Sequence, residues 1–123
     1  MFGIVIVAHE NLADEFLKVL THVMGKQEFI ETLNISADNH MEDSRKQLSE
    51  RIKSVDQGEG VVILTDMFGG TPSNLAMSFL KKGSIEVMAG MNIPALIKLA
   101  DVRQSMDIKN ACQHAQEAGK KYI

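Results

Sequence analysis

The sequence has few cysteines and few large aromatic residues: no tryptophan, one tyrosine (Tyr122) and one cysteine (Cys112) in 123 residues. A single cysteine excludes an internal disulfide and a thiolate zinc cluster, and it is typical of a chain in a reducing cytosol. We expect Cys112 to be a small packing residue. The core is therefore expected to be aliphatic.

Long hydrophobic runs and basic stripes are also missing. The opening segment is apolar only over residues 1–8, well short of the roughly 20 residues that span a membrane, and it lacks a basic leader and a cleavage site. We expect a soluble chain, which can still act on a membrane-bound partner. The net charge is −3 with lysines and arginines scattered among acids, so nucleic acid is not an expected partner. The length predicts one domain, 1–123.

Short β-type runs alternate with helical patterns along the chain. Residues 3–8 and 61–65 form apolar runs, which are typical of central strands covered on both faces. Residues 29–35 alternate more and are predicted nearer an edge; 85–90 are a further strand, and 120–123 ("KKYI") are a candidate short terminal strand. Helices are predicted over about 11–25, 41–55, 72–82, 91–102 and 106–118.

This alternation predicts a three-layer α/β/α sandwich around a mainly parallel sheet of four or five strands. In the first helix Asn11 is placed to cap the amino end and Gly25 to stop the carboxyl end. Its predicted buried stripe comprises Leu12, Phe16, Val19 or Leu20, and Val23.

Ligands in such folds bind at the carboxyl ends of the strands, where His9 follows one central strand and Asp66 the other. Alone, His9 has the ordinary explanation of a structural or surface histidine, and Asp66 that of a residue capping its loop. Together they are more specific, because neighbouring parallel strands bring the two side chains within hydrogen-bond range. A carboxylate on one imidazole nitrogen fixes the tautomer and leaves the other nitrogen free to attack an electrophile.

The segment after Asp66 supplies a second part of a site. Gly69 and Gly70 permit close backbone approach, and Thr71 opens a helix whose first amides lack intrahelical partners and attract an anion. The Thr71 hydroxyl either caps this helix through the amide of Ser73 or Asn74, or binds a phosphate oxygen; spacing alone favours capping. An activated imidazole beside an anion site predicts phosphoryl transfer through a phosphohistidine, with no metal or cofactor if the donor is another phosphohistidine.

Other chemistries lack their residues. "GGTPSN" has no Gly-Lys-Ser/Thr end of an ATP-binding loop, and Ser73 is not in a Gly-x-Ser-x-Gly elbow. A receiver domain phosphorylated on Asp66 requires an acidic pair after the first strand to hold magnesium, and only Glu10 is present there. His22, His40 and His114 show no metal-ligand spacing to one another or to His9, so zinc is not predicted.

Three segments in this order, "GIVIVAHE", "LTDMFGGTPSN" and "AGMNIPAL", resemble the IIA domain of the mannose-type (mannose/fructose/sorbose) bacterial phosphoenolpyruvate-dependent phosphotransferase system. The resemblance covers nearly the whole chain. It implies that His9 takes a phosphoryl group from the histidine phosphocarrier protein (HPr) and passes it to a IIB subunit. That subunit is expected on a separate chain, with membrane subunits IIC and IID beyond it, and the sugar is not identified.

Residue by residue, the resemblance implies that Asp66 orients His9 and that Thr71 stands beside the phosphate. Phe68, Gly69 and Gly70 match the loop that lines the site and meets partner proteins, and we include Ser73 in this phosphate- and partner-binding set. A cytoplasmic homodimer that exchanges its last strand is also implied. Two alternatives stay open: a regulatory phosphohistidine module, and a subunit feeding dihydroxyacetone kinase, although the Gly-Gly-Thr-Pro loop looks more like the sugar-transport branch.

Overall fold

The computed structural model describes residues 1–123 and consists of a four-stranded sheet and five helices. The strands are β1 (Gly3–His9), β2 (Ile30–Ile35), β3 (Val61–Thr65) and β4 (Ile85–Met88). The helices are α1 (Leu12–Met24), α2 (Met41–Val55), α3 (Thr71–Met77), α4 (Ile93–Val102) and α5 (Ile108–Lys121). All strand pairs are parallel and the order is β2-β1-β3-β4. The predicted α/β fold is confirmed, with β1 and β3 in the centre and β2 at an edge.

The two central strands are apolar up to His9 and Thr65 at their carboxyl ends, because helices cover both faces of the sheet. Ile4 and Ile6 of β1 pack in one core with α1, α4 and α5. Val5 and Val7 face the other way and pack in a second core with α2 and α3. The alternation of side chains along each strand therefore builds the three layers.

The buried face of α1 agrees with the predicted stripe only in part. Phe16 packs against the core and Leu20 is fully buried, as predicted, whereas Leu12, Val19 and Val23 are exposed. Ala13, Leu17 and Met24 face the core instead, because the packed face of α1 lies about one position further along the helix. Asn11 is the residue before α1 as predicted, but its side chain makes no capping hydrogen bond, while Gly25 (φ 84°) ends the helix as expected.

Two helix ends also correct the sequence prediction. Helix α3 stops at Met77 and not near residue 82, because the amides of Phe79 and Leu80 reach back only three residues and the Ser78 hydroxyl donates to the Leu75 carbonyl. Helix α5 runs through Gly119 to Lys121, so the terminal strand expected from residues 120–123 is wrong.

Gly119 serves close packing rather than helix termination. A Cβ at this position would lie 3.1 Å from the Ala95 Cβ and 3.2 Å from the Asn92 Oδ1. Asn92 bridges the two helices: its Oδ1 accepts from the Ala95 amide at 3.0 Å, and its Nδ2 donates to the Gly119 carbonyl at 2.8 Å. The "GMN" segment thus fixes α4 against α5.

The strand order creates one place where loops diverge. The connection after β1 leads to β2 on one side of the sheet, and the connection after β3 leads to β4 on the other side. The two connections therefore separate between the carboxyl ends of β1 and β3, as at the switch point of other open α/β sheets. The predicted site residues come from these two connections. None of the helices has the length and apolar character that crossing a bilayer requires.

Candidate active site

His9 and Asp66 are in direct contact at the switch point, as the sequence predicts. His9 is the last residue of β1 and Asp66 follows the last residue of β3. The Nδ1 of His9 lies 2.8 Å from Oδ2 of Asp66, and the same oxygen accepts the backbone amide of His9 at 2.9 Å. The carboxylate therefore binds one residue through both its ring and its backbone, which fixes the direction of the imidazole.

The carboxylate of Asp66 is charged and mostly enclosed, with a side chain that is 10% exposed. Burial alone would raise the pKa of Asp66, but the hydrogen bonds from the His9 amide and imidazole, helped by the charge of the imidazole, hold this pKa below its usual value. Its other oxygen, Oδ1, accepts the Met67 amide at 3.0 Å. In the neutral form of His9, the nitrogen that faces this ionised acceptor, Nδ1, carries the proton, and Nε2 keeps the free lone pair.

The turn after His9 brings the imidazole to the protein surface. Glu10 has a positive φ of 53°, an uncommon conformation for a residue with a side chain, and its amide donates to the Ile35 carbonyl at 2.9 Å. The His9 side chain remains 42% exposed. A ring held at Nδ1 and open to solvent elsewhere can react with an electrophile brought by another molecule.

Gly69 and Gly70 require glycine for different structural reasons. Gly69 has φ +93° and no atom near the position of a Cβ, so it supplies a turn that residues with side chains rarely adopt. Gly70 has an ordinary backbone, but a Cβ there would lie 2.8 Å from Cε1 and 3.1 Å from Nε2 of His9. The backbone at Gly70 thus lies directly against the reactive side of the imidazole.

Thr71 is the first residue of α3 and does not cap it. Gly70 occupies the capping position, and no side-chain hydrogen bond caps the helix. The capping role that spacing favoured for Thr71 is therefore wrong. Its side chain is exposed, next to the glycine that touches His9, which leaves the hydroxyl available to a ligand.

The remaining predicted residues fall into two groups. Phe68 is 76% exposed and Met67 is 52% exposed, so the loop after Asp66 presents two large apolar side chains to solvent. Ser73, in contrast, is 1% exposed and its hydroxyl has no hydrogen-bond partner. Its side chain is not available to a docking protein, which corrects its inclusion with the partner-binding loop.

A pocket of about 430 Å³ lies beside His9. Its other walls come from Thr71, from the connection after β2 and from the start of α2, including Ser36, Asn39 and Ser44. Sequence reasoning assigned no role to Ser36, Asn39 and Ser44. The available signal was position: the connection after β2 leaves the same carboxyl edge of the sheet as His9 and Asp66.

The other ionisable residues do not build a second centre of this kind. No three His, Cys, Asp or Glu side chains are grouped so as to hold a metal ion. Cys112 is half-buried and packs against the core below α5, and burial raises the pKa of its thiol to about 12. It is a packing residue, as expected, and its thiol is unreactive at neutral pH.

Residues 3–116 match the family model for EIIA-man, described as the PTS system fructose IIA component. The chain is 31% identical over 97 residues to the mannose-specific EIIAB component of the phosphotransferase system (PTS) of Escherichia coli, a match that covers 78% of this chain and 30% of that protein. It is 24% identical to the sorbose-specific EIIA component of Lacticaseibacillus casei, covering 97% of this chain and 86% of that one.

A solved structure with the same fold is the PTS component EIIA from Streptococcus agalactiae. It superposes with a TM-score of 0.90 at 26% identity, covering 100% of this chain and 95% of that one. The chain spans under a third of the length of the E. coli relative, 30%, but nearly all of these two EIIA relatives. The chain therefore belongs to the EIIA-man family, the mannose-type IIA components of sugar phosphotransferase systems.

Proposed function

We propose that Nε2 of His9 accepts a phosphoryl group from phosphorylated HPr and passes it to a IIB subunit on a separate chain. The observation that carries this proposal is the 2.8 Å hydrogen bond between Nδ1 of His9 and Asp66. It leaves Nε2 as the nucleophilic nitrogen, and a Cβ at Gly70 would lie 3.1 Å from this atom. Family membership supports the reaction class, and this hydrogen bond supports Nε2 as the reacting atom.

In the first step the Nε2 lone pair of His9 attacks phosphorus as the bond from phosphorus to the donor nitrogen breaks. The donor nitrogen regains its lone pair, so no proton has to move between the reactants. The ring of His9 keeps its Nδ1 proton and gains positive charge, which the Asp66 carboxylate offsets at 2.8 Å. In the second step the same events run in reverse toward the nucleophile of the IIB subunit.

Oxygens of the transferred group need donors because charge is spread over them during transfer. The Thr71 hydroxyl is free of a capping bond and adjoins the glycine that touches Nε2. We assign it to one of these oxygens, together with backbone amides of the Gly69–Gly70 turn. Asp66 does not contact the phosphoryl group in this mechanism; it acts through the imidazole.

Protein partners would dock on the surface around His9. Exposed Met67 and Phe68 supply an apolar contact beside the nucleophile, and methionine adapts readily to more than one partner. Membrane subunits IIC and IID would receive the phosphoryl group only indirectly. The named relatives differ in sugar, including mannose and sorbose, so the sugar is left open.

We also infer a cytoplasmic homodimer. Strand β4 is at the edge of the sheet, so its outer side can pair with a second copy of the chain. Exchange of a strand made from residues 120–123 would require them to leave the end of α5. Sedimentation of the wild type and of a chain ending at residue 119 distinguishes a dimer that needs this segment from one that does not.

The central test supplies phosphoenolpyruvate, enzyme I and HPr and follows label into the protein. We expect wild type and His22→Ala, which removes an exposed histidine of α1, to be labelled, and His9→Ala to remain unlabelled. Equal labelling of His9→Ala would sink the role of His9. The bond should be lost in acid, survive base and resist hydroxylamine, which would cleave an acyl phosphate on Asp66. If phosphorylated His9 transfers its phosphoryl group to no IIB subunit, the regulatory alternative is favoured. If it transfers the group to dihydroxyacetone kinase, the second alternative is favoured.

A further inference from the structure

The pocket beside His9 contains a polar group that the proposed mechanism leaves unused. Ser44, on the first turn of α2, lines this pocket together with His9 and Thr71. Its side chain is 2% exposed, and its hydroxyl has no hydrogen-bond partner. A buried hydroxyl without a partner is unfavourable. Ser73 has one too, but only Ser44 lines the pocket that contains His9, where a ligand can reach it.

The amino end of α2 adds donors on the same side of the pocket. His40 precedes the helix and makes no side-chain capping bond, and the first helical hydrogen bond runs from the Ser44 amide to the His40 carbonyl. The amides of residues 41–43 therefore have no intrahelical partner. A helix end of this kind favours negative charge, and Ser44 is an independent donor beside it.

Another part of the pocket lining comes from the connection after β2, which is held by its own hydrogen bonds. Asn39 Oδ1 accepts both the amide of Ser36 at 2.9 Å and its hydroxyl at 2.5 Å. These bonds use the Ser36 hydroxyl, so Ser44 and Thr71 are the two hydroxyls of the pocket that remain free. Glu10 is the one carboxylate among the lining residues, and it is exposed, so water and salt screen it.

We propose that this pocket is a subsite for the phosphoryl group of phosphorylated His9, with the Ser44 hydroxyl donating to a phosphoryl oxygen. The proposal rests on phosphorylation of His9. Asp66 occupies Nδ1, so Nε2 is the ring nitrogen of His9 that remains for a phosphoryl group beside this pocket. A volume of about 430 Å³ is within the range of ligand sites and leaves room for the side chain of a protein partner.

The test compares wild type with Ser44→Ala and a matched control, Ser54→Ala. Ser54 is also on α2, but it is exposed and bonds the Arg51 carbonyl at 2.8 Å, outside the pocket. Ser44→Ala removes a hydroxyl without a partner, so it should fold at least as stably as wild type. Each protein is equilibrated with phosphorylated HPr, and the phosphorylated fraction of His9 is measured by ³¹P NMR.

We expect the equilibrium constant for phosphorylation of His9 to fall about tenfold in Ser44→Ala, the loss of one hydrogen bond to a charged group, and to be unchanged in Ser54→Ala. The ³¹P resonance should also shift only in Ser44→Ala. Equal constants and resonances in the three proteins would overturn the proposal while leaving the proposed function intact. If wild-type His9 takes no label, both fail.

A second experiment distinguishes binding of free phosphate from contact with the phosphoryl group on His9. Inorganic phosphate is titrated into unphosphorylated protein, and the amide resonances of Ser44 and Thr71 are followed. Weak perturbations of both amides in wild type that are lost in Ser44→Ala support the subsite when they accompany the tenfold effect on phosphorylation. Phosphate binding that depends on Ser44 without any effect on phosphorylated His9 would show a site for a free anion and overturn the assignment to the transferred group.

Discussion

Replacing Gly70 by alanine tests whether the position of the imidazole controls its phosphorylation. The new Cβ would lie 2.8 Å from Cε1 and 3.1 Å from Nε2 of His9, closer than nonbonded carbon atoms approach. The ring is not free to move aside, because its Nδ1 is bound to Asp66 at 2.8 Å. Either the imidazole leaves this hydrogen bond or the Gly69–Gly70 turn moves away from it.

The expected magnitude follows from what is displaced. A hydrogen bond to a charged partner contributes about 1.5–3 kcal/mol, which corresponds to about a 10- to 100-fold effect on a rate that needs the bond intact. Overpacking of this kind costs about 1–3 kcal/mol of stability. We therefore expect Gly70→Ala to remain folded and to be phosphorylated at least tenfold more slowly than wild type.

Gly69→Ala is the matched control. It also adds one methyl group to the turn, but its Cβ would meet no atom within 4 Å, and only its backbone, at φ +93°, is strained. It should lose about 1 kcal/mol of stability with a much smaller change in rate. The assay is the initial rate of label transfer from phosphorylated HPr, with denaturant unfolding alongside and ¹⁵N NMR of the imidazole reporting the tautomer. Wild-type kinetics and imidazole signals in Gly70→Ala would refute the reasoning.

Three further substitutions test single contacts. Asp66→Asn should keep the fold but slow transfer, because the tautomer of His9 is no longer held. The pKa of Asp66 is lowered in the folded state. The stability that the Asp66 carboxylate contributes is therefore complete above its unfolded pKa of about 3.9 and is lost as pH falls through the lower folded value. The gap in unfolding free energy between wild type and Asp66→Asn, about 1.5–3 kcal/mol at pH 7, should therefore narrow below about pH 4 in urea titrations, and a gap that widens in acid contradicts this. Thr71→Ala should change stability by less than about 0.5 kcal/mol and slow phosphorylation; a loss near 1 kcal/mol with normal kinetics would restore the capping role. Gly119→Ala should lower the unfolding free energy by about 1 kcal/mol, since the clash with Ala95 and Asn92 outweighs the helix propensity of alanine, and labelling of His9 should not change.

The fold was predictable where local pattern and burial agree. The apolar runs of β1 and β3 identified the central strands, and the alternation of β2 identified an edge, because burial on both faces or on one face leaves a different pattern in the sequence. The errors come from tertiary contacts. Gly119 looked like a helix stop because a glycine has two uses, and only the approach of Ala95 and Asn92 shows which one applies.

At the site, the pairing of His9 with Asp66 was predictable because strand order brings the ends of parallel neighbours together. The behaviour of Thr71 was not, since a threonine before a proline has the same spacing whether or not its hydroxyl caps the helix; the structure puts Gly70 in that position. The role of Ser44 was not predictable for a different reason. Its place beside His9 depends on how α2 packs over the end of the sheet, and a lone serine in a polar helix carries no such signal.

The two oxygens of Asp66 divide between the nucleophile and the loop. Oδ2 binds the ring and the backbone amide of His9, and Oδ1 binds the amide of Met67. The direction of the imidazole is therefore set by the strand end and one carboxylate, while the side chain of Phe68, 76% exposed, is left to solvent. A phosphoryl carrier must meet a donor and an acceptor in turn, so an adaptable apolar loop and a fixed nucleophile have to coexist within a few residues. A carboxylate placed at the strand end, before the glycines rather than after them, satisfies both requirements.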